Sequence, residues 1–433
     1  MTMKFESLRG FRDIYPEDAE PRENMFSTAK RVAHSFGFQI IDFPSLEPLD
    51  LYRIKSGDEL VSQTFSFVDK GGREVTMVPE ATPSVVRMLT SKKDLQKPVR
   101  WFSLPKIWRY EEPQSGRLRE HVQFNADLFG PDTPDADAEI IGLAASILDS
   151  LGLSGNYEIR MNHRGMMEKI LKSMQIEDAA RAFSVIDRFR KLAENEFIEA
   201  LGAIDISGKP AEMILKLAGT RVESVYLKQA VSEIVPLTQD LSDILDRIAK
   251  TMEMVSLFTD SRVVVDFSIV RGLSYYTGIV FEAFDVMGEL RSILGGGRYN
   301  SLSTLLSGQE IPAVGFGMGD VVLELLLRRN GLWNRPTATD GYYVCMASDG
   351  VEMYSMRVAA EVRKRGKTAV RDSGGRNLSA QLRAASSAGL AKSVMGKGRS
   401  RRIYRLKMPI EEILSDSRRR VAVMITYRNN IDP

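Results

Sequence analysis

Arg271-Gly-Leu-Ser-Tyr-Tyr-Thr-Gly-Ile-Val-Phe-Glu282 is followed a few residues later by Gly295-Gly-Gly-Arg-Tyr299. An arginine set among glycines, beside paired tyrosines and a β-branched run, describes a strand edge that grips something planar and anionic. Arginine is always charged and offers a rigid fork of donors to carboxylate or phosphate. The flanking glycines let backbone approach a ligand closely. With few other charges nearby, the stretch predicts a pocket rather than a solvated face.

Outward from this segment, the apolar patterning alternates between strand and helix. A helix is predicted over Ala19–Phe36, a strand over Phe38–Phe43 stopped at Pro44, and a Gly-Gly hairpin joining Thr64–Val68 to Glu74–Val78. Helix character follows over Pro83–Thr90. Strands are predicted over Lys106–Glu111 and His121–Phe129, around the polar loop Pro113–Glu120, and a long amphipathic helix over Asp135–Leu151. From about 166 to 256 strand signals fade and charged, leucine-rich segments predict a helical insertion. Strands return at Val263–Ile269 and Ile279–Phe284, and a helix at Val321–Arg329. Residues 330–339, polar with Gly and Pro, read as a linker. Beyond it, 340–433 alternates strand and helix as a small α/β module of βαβ units.

At 433 residues the length suggests roughly three domains. The net charge of +2 conceals an asymmetry: Asp340 to Pro433 carries 19 Lys and Arg against 9 Asp and Glu. A basic terminal module on an acidic body suits a polyanionic partner, nucleic acid first, as well as it suits a plain solvated surface. Cys345 is the single cysteine, and His34, His121 and His163 show no ligand spacing, so neither a disulfide nor a transition-metal site is expected. No apolar run reaches the roughly 18 residues of a membrane span, and the N-terminus lacks a signal-peptide core. The chain reads as cytosolic and soluble, with no membrane partner.

Strand alternation predicts that Arg109 and Glu111 share one face, and Gln123, Asn125 and Asp127 another. If those faces meet, the sheet bears a polar cluster that a ligand would explain; a solvent-facing side explains it as well. Arg117 and Arg119 in the loop suit nucleotide phosphates or a nucleic-acid end, or simply a surface loop. Glu80 and Thr82 sit where strand turns to helix. A carboxylate there suits a substrate ammonium, while Thr82 before Pro83 reads as a helix N-cap. Gly295–Gly297 resembles a phosphate-cradling turn only loosely, lacking the P-loop Lys-Ser/Thr. Gly315-Phe-Gly-Met-Gly319 suits either close approach to a nucleotide or close strand–helix packing.

The ordered set Arg9-Gly-Phe-Arg-Asp13, Pro79-Glu-Ala-Thr82, Trp108-Arg-Tyr-Glu111, Gly116-Arg-Leu-Arg119, Gln123-Phe-Asn-Ala-Asp127, Arg271–Tyr276 and Gly295–Tyr299 resembles the histidyl-tRNA synthetase family, from the N-terminus to about Arg383. The resemblance implies an α+β class II synthetase: an antiparallel sheet flanked by helices in residues 1–329, the helical insertion, and a C-terminal α/β anticodon-binding domain in 340–433. It implies histidine, ATP with Mg²⁺, and tRNA-His as partners, and a homodimer formed through the early helix and the region of Pro44. Arg109 and Arg271 would be the catalytic pair on the α-phosphate. Glu111, Arg117 and Arg119 would complete the ATP set. Glu80, Thr82, Gln123, Asp127, Arg271, Tyr275 and Tyr276 would bind histidine, with Asp127 and Tyr276 reading the imidazole.

The sequence also departs from the family pattern. The last class II motif usually carries an arginine that Gly317–Glu324 lacks, which leaves Arg117 or Arg298 to cover the role. Asp127 stands where glutamate is common, and Arg399–Arg402 and Arg418–Arg420 are unusual in the terminal domain. The alternative is a non-catalytic paralogue serving as a regulatory subunit in histidine biosynthesis; the retained terminal module and arginine set favour the synthetase. A pseudo-synthetase that only binds tRNA is a third reading, opposed by the intact Arg271 segment.

Overall fold

The alternation along Glu120–Phe129 organises the first structural unit of the computed structural model. Phe124, Ala126 and Leu128 point to one face and are buried, whereas Gln123, Asn125 and Asp127 point to the other. The structure describes residues 5–53, 62–92, 94–270, 275–334, 341–346, 352–373, 375–387, 392–398 and 423–427. The chain divides into two units, Met1–Asn334 and Arg335–Pro433.

In the first unit the strands run in the order Gln39–Ile40, Val99–Ser103, Glu120–Phe129, Ala313–Gly319, Leu294–Arg298, Ile279–Asp285, Tyr157–His163, Val263–Asp266 and Arg221–Val222. Lys106–Trp108 pairs beside them with Glu120–Phe129. From Val99–Ser103 to Tyr157–His163 every pairing is antiparallel. Gln39–Ile40 and Val263–Asp266 are parallel to their neighbours.

Phe124, Phe316, Met318, Phe281, Met161 and Ile159 make the apolar face, covered by the helices Pro16–Ser35 and Pro134–Ser150. Burying each such side chain contributes about 1.5–3 kcal/mol, so this face holds the unit together. Helices Arg164–Ser173, Ala179–Ile186, Glu194–Gly202, Lys209–Ala218, Leu227–Ser232 and Gln239–Val255 fill the stretch between the strands at 157–163 and 263–266. Their buried Phe183, Phe197, Ile214, Leu245 and Ile248 join the same core cluster, so these helices share the core of the sheet. On the opposite face, the helix Ala81–Ser91 and Tyr275, Tyr276 and Tyr299 form a second cluster with Trp101, Phe129 and Val280.

In the second unit four parallel strands run in the order Thr368–Arg371, Gly341–Met346, Lys392–Gly398 and Val423–Tyr427. Tyr342 and Val344 pack with Val358, Ala359 and Val362 of the helix Glu352–Lys364. Tyr343 and Cys345 pack on the other side with Ala385 of the helix Leu378–Ser387. A strand covered on both faces is the mark of a parallel α/β unit. The two units together give the α+β architecture. No helix among the described residues is long and apolar enough to cross a membrane.

Several expected elements are shorter or different. The strand expected over 38–43 pairs only at Gln39–Ile40. The strand expected over 106–111 ends at Trp108, so Arg109 and Glu111 are placed by loop contacts rather than by alternation. Arg109 N–H still donates to the Arg119 carbonyl at 2.9 Å, which keeps the two sides of the loop together. Gly295–Gly297 is no turn: it lies within the central strand Leu294–Arg298. A β-carbon at Gly296 would stand 2.6 Å from Phe316 Cβ and would also collide with the Gly315 carbonyl. Gly296→Ala is therefore expected to destabilise the fold by about 1–3 kcal/mol, read as a lower urea midpoint with an unchanged m-value.

Candidate active site

Because residues paired across strands share a face, the register aligns Gln123 with Gly319, Asn125 with Gly317, and Asp127 with Gly315 and Gly297. These glycines leave room on the polar face. A β-carbon at Gly315 would stand 2.7 Å from the Ala126 carbonyl and would strike the Asp127 carboxylate. One at Gly317 would lie 2.9 Å from Gln123 Cδ, and one at Gly297 would lie 2.8 Å from Tyr276 Cδ1. Side chains thus lie flat across bare backbone. Neither reading of Gly315–Gly319 made from the sequence anticipated this.

At one end of this floor is a buried knot of acids and phenols. Tyr275 Oη donates to Glu80 Oε1 at 2.8 Å, and Tyr299 Oη donates to Asp127 Oδ1. Glu80 and Asp127 are 5% and 4% exposed, so both carboxylates are desolvated and need such partners. Burial first, then the carboxylate, pushes each phenol well above its ordinary range: Glu80 acts on Tyr275 and Asp127 on Tyr299. Both therefore stay protonated donors. The Tyr275 and Tyr276 ring centroids lie 4.6 Å apart, and Tyr299 meets Tyr275 edge-on at 5.7 Å.

At the other end a cleft is lined by Arg109, Glu111, Arg117, His121 and Gln123, with Ser292–Gly295, Gly317, Gly319 and Val322. Arg109 Nε donates to the Pro79 carbonyl at 2.9 Å, one residue before Glu80, which ties the cleft to the acid–phenol knot. Arg117 Nε pairs with Glu111 Oε2 at 2.7 Å. Gln123 Nε2 donates to Asn125 Oδ1 at 2.6 Å.

The N-terminal segment braces this region. The Gly10 carbonyl accepts the Arg119 N–H at 2.9 Å, and Arg12 bridges to Asp320 at 2.5 Å and to Glu324 at 2.8 Å. Asp320, fully buried, also takes Arg22 at 2.7 Å.

The structure thus gathers Glu80, Asp127, Tyr275 and Tyr276 at one end and Arg109, Glu111, Arg117 and Gln123 at the other. Arg119 stands apart from the lining: its guanidinium lies 4.4 Å over the Tyr110 ring and donates to the Glu111 carbonyl at 3.0 Å. Thr82 is not the helix cap. The helix starts at Ala81, Glu80 occupies the cap position, and its carboxylate is turned to Tyr275. Arg298 does not reach the cleft: it is buried on the opposite face, with Nε donating to Asp137 Oδ1 at 2.8 Å. Arg271 and the unusual arginines at 399–402 and 418–420 lie outside the described residues. Tyr299 stood out in the sequence by no assigned role; its place directly after the Gly-Gly-Gly-Arg run was the available signal.

Replacing Tyr299 by Phe deprives the buried Asp127 of a donor, and a loss of about 1–3 kcal/mol is expected in urea unfolding. A pH effect is also expected. Burial first, then Arg109, lowers His121 to about 4; burial first, then Arg247, lowers His163 to about 4. His163 Nδ1 accepts the Met166 N–H at 3.3 Å, a role only the neutral ring fills. As pH falls, the unfolded chain takes up these protons first, so stability present above about pH 6.5 is lost towards pH 4, by up to roughly 3 kcal/mol per ring. Urea midpoints measured across that window should fall less steeply in the His121→Gln, His163→Gln double variant.

Residues 10–320 match the family model described as histidyl-tRNA synthetase. The histidine–tRNA ligase of Picrophilus torridus is 51% identical over 89% of this chain and 90% of its own length. That of Thermoplasma volcanium is 50% identical over 91% of each. Among solved structures, histidyl-tRNA synthetase from Nostoc sp. PCC 7120 superposes with a TM-score of 0.78 at 22% identity, over 91% of this chain and 92% of that one. A Bacillus halodurans protein described as an ATP phosphoribosyltransferase regulatory subunit/histidyl-tRNA synthetase gives 0.72 at 23%, over 89% and 97%. At such identities the two structures speak for the fold alone; the relatives at about half identity carry the assignment past it. The chain belongs to the histidyl-tRNA synthetase family.

Proposed function

We propose that this chain, a histidine–tRNA ligase by its family, performs both steps of the reaction on the glycine-floored face. A histidine carboxylate oxygen attacks the α-phosphorus of ATP and pyrophosphate leaves with the bonding electrons. The ribose hydroxyl at the end of tRNA-His then attacks the acyl carbon, its proton passes to a phosphate oxygen of the adenylate, and AMP departs with the electrons of the acyl–oxygen bond. The observation that carries this reading is the pair of phenol-held carboxylates beside an arginine-lined cleft. The regulatory-subunit alternative has no comparable support, since the relatives at about half identity are ligases.

In this reading Asp127, oriented by Tyr299, accepts an imidazole N–H and Tyr276 meets the other ring nitrogen. Glu80, Thr82 and Gln123 receive the α-ammonium, with Tyr275 holding Glu80. Arg109 donates to the α-phosphate: beyond its Nε bond to the Pro79 carbonyl, its guanidinium makes no hydrogen bond or ion pair among the described residues. Arg271 acts from the other side on carboxylate and phosphate. Two fixed cations answer the charge growing on phosphorus, and no general base is required. Glu111 and Arg117 flank the nucleotide, while Arg119 stabilises the loop. Mg²⁺ would neutralise phosphate charge. Glu111 is the sole carboxylate among the described lining residues, and it is engaged by Arg117, which fits an ion held through phosphate oxygens and water.

Residues 1–329 would form the catalytic domain and 340–433, with its basic excess, the tRNA-contacting domain. A homodimer would cover the exposed Ile40, Leu46, Phe67 and Val68; light scattering reads the mass directly. The test of function is histidine-dependent exchange of pyrophosphate into ATP. Arg109→Ala is expected to reduce it by at least about a hundredfold, and Arg271→Ala comparably. No exchange under any condition would sink the proposal.

A further inference from the structure

We infer that Arg291, held across the mouth of the cleft by Gln114, is a cation for the outer phosphates of ATP; this rests on the reaction proposed above. Arg291 immediately precedes Ser292, Ile293 and Leu294, which line the cleft. Its Nη2 donates to Gln114 Oε1 at 2.5 Å, joining the strand-entry loop to the arginine loop. Its stem lies along Gly116: a β-carbon there would stand 3.5 Å from Arg291 Cδ and 3.2 Å from Val322 Cγ2. Arg291 and the cleft wall therefore converge on one point.

Charge balance points the same way. Arg117 is paired with Glu111, Arg119 is turned over Tyr110, and Arg298 is buried with Asp137 on the far face. Arg109 and Arg271 are assigned to the α-phosphate, so beside Mg²⁺ the cleft lining leaves the outer phosphates only Arg117, itself half-neutralised by Glu111. Arg291 is exposed and makes no ion pair among the described residues. Its tether is a neutral amide, which fixes the side chain without spending its charge. Gln114 is also fixed to Arg117, each N–H donating to the other's carbonyl at 3.0 and 2.9 Å. Gly116, with φ +76°, makes that tight turn. The Arg291–Gln114 bond and the two Gln114–Arg117 backbone bonds thus place Arg291 and Arg117 as a unit, whereas an ordinary surface arginine would be free of the site.

The test measures histidine-dependent pyrophosphate exchange in the full-length enzyme. Arg291→Ala is expected to raise the KM for ATP about tenfold, the scale of one charge-assisted hydrogen bond, with the KM for histidine within about twofold. Inhibition by AMP, which has no outer phosphates, should not change. Arg291→Lys should recover part of the loss, and Gln114→Ala, which keeps the charge and frees the tether, should give a smaller rise. An unmoved KM for ATP in Arg291→Ala, beside normal wild-type exchange, overturns this inference alone. So does a parallel weakening of AMP, or an equal shift in both KM values with a lowered Tm. Absence of exchange in the wild type overturns it together with the reaction itself.

Discussion

The site depends on side chains being allowed to lie on the sheet instead of standing above it. In an ordinary sheet, each β-carbon separates the residues of neighbouring strands, and a carboxylate at position 127 would be held away from the strand beside it. Here that neighbouring strand offers Gly315 and Gly317, and the next offers Gly297. Asp127, Gln123 and the Tyr276 ring occupy the space so cleared. Glycine in a strand interior is a liability in entropy and packing. The cost is tolerable because the opposite face of the same strands buries Phe124, Phe316 and Met318.

The second consequence of burial is electrical. Glu80 and Asp127 sit where water cannot screen them, and each takes its hydrogen bond from a tyrosine whose own ionisation is suppressed by the same burial. Such pairs are rigid, because neither partner gains by turning away into a dry interior. A rigid acceptor suits a ligand ring whose two nitrogens must be told apart, since a misplaced donor or acceptor would remain unpaired. The arginines at the other end meet the opposite requirement. Arg117 and Arg291 are partly exposed and bonded to neutral or single partners, so incoming anionic oxygens can compete for them.

Much of this was legible in the sequence because periodicity is local. The alternation of Gln123, Asn125 and Asp127 with Phe124, Ala126 and Leu128 identified a two-faced strand. The α/β pattern of the terminal module is present in its four parallel strands. Where the reading missed, the deciding contact was distant in sequence. The strand at Lys106 stops at Trp108 because Arg109 is tied to Pro79 and Arg119 instead. Thr82 was the natural cap on local grounds, yet Glu80 took the position when Tyr275, far along the chain, claimed its carboxylate. The two-residue strand Arg221–Val222, within a helical stretch, is too short to have a period at all.

Arg298 shows how a single backbone step separates structure from function. It was a candidate nucleotide ligand because the family's late-motif arginine is missing, but parity along Leu294–Arg298 sends it to the face opposite Gly297. There Asp137 and the Pro131 carbonyl hold it, and Arg247 of the helix Gln239–Val255 joins the same Asp137 at 3.1 Å. A buried arginine cannot be moved without stranding its carboxylate, so this point of the strand is pinned. The next residue, Tyr299, returns to the polar face and grips Asp127. The acceptor proposed to read the substrate ring is therefore positioned by a phenol whose backbone is anchored from behind, through an ion network that reaches into the helical segment.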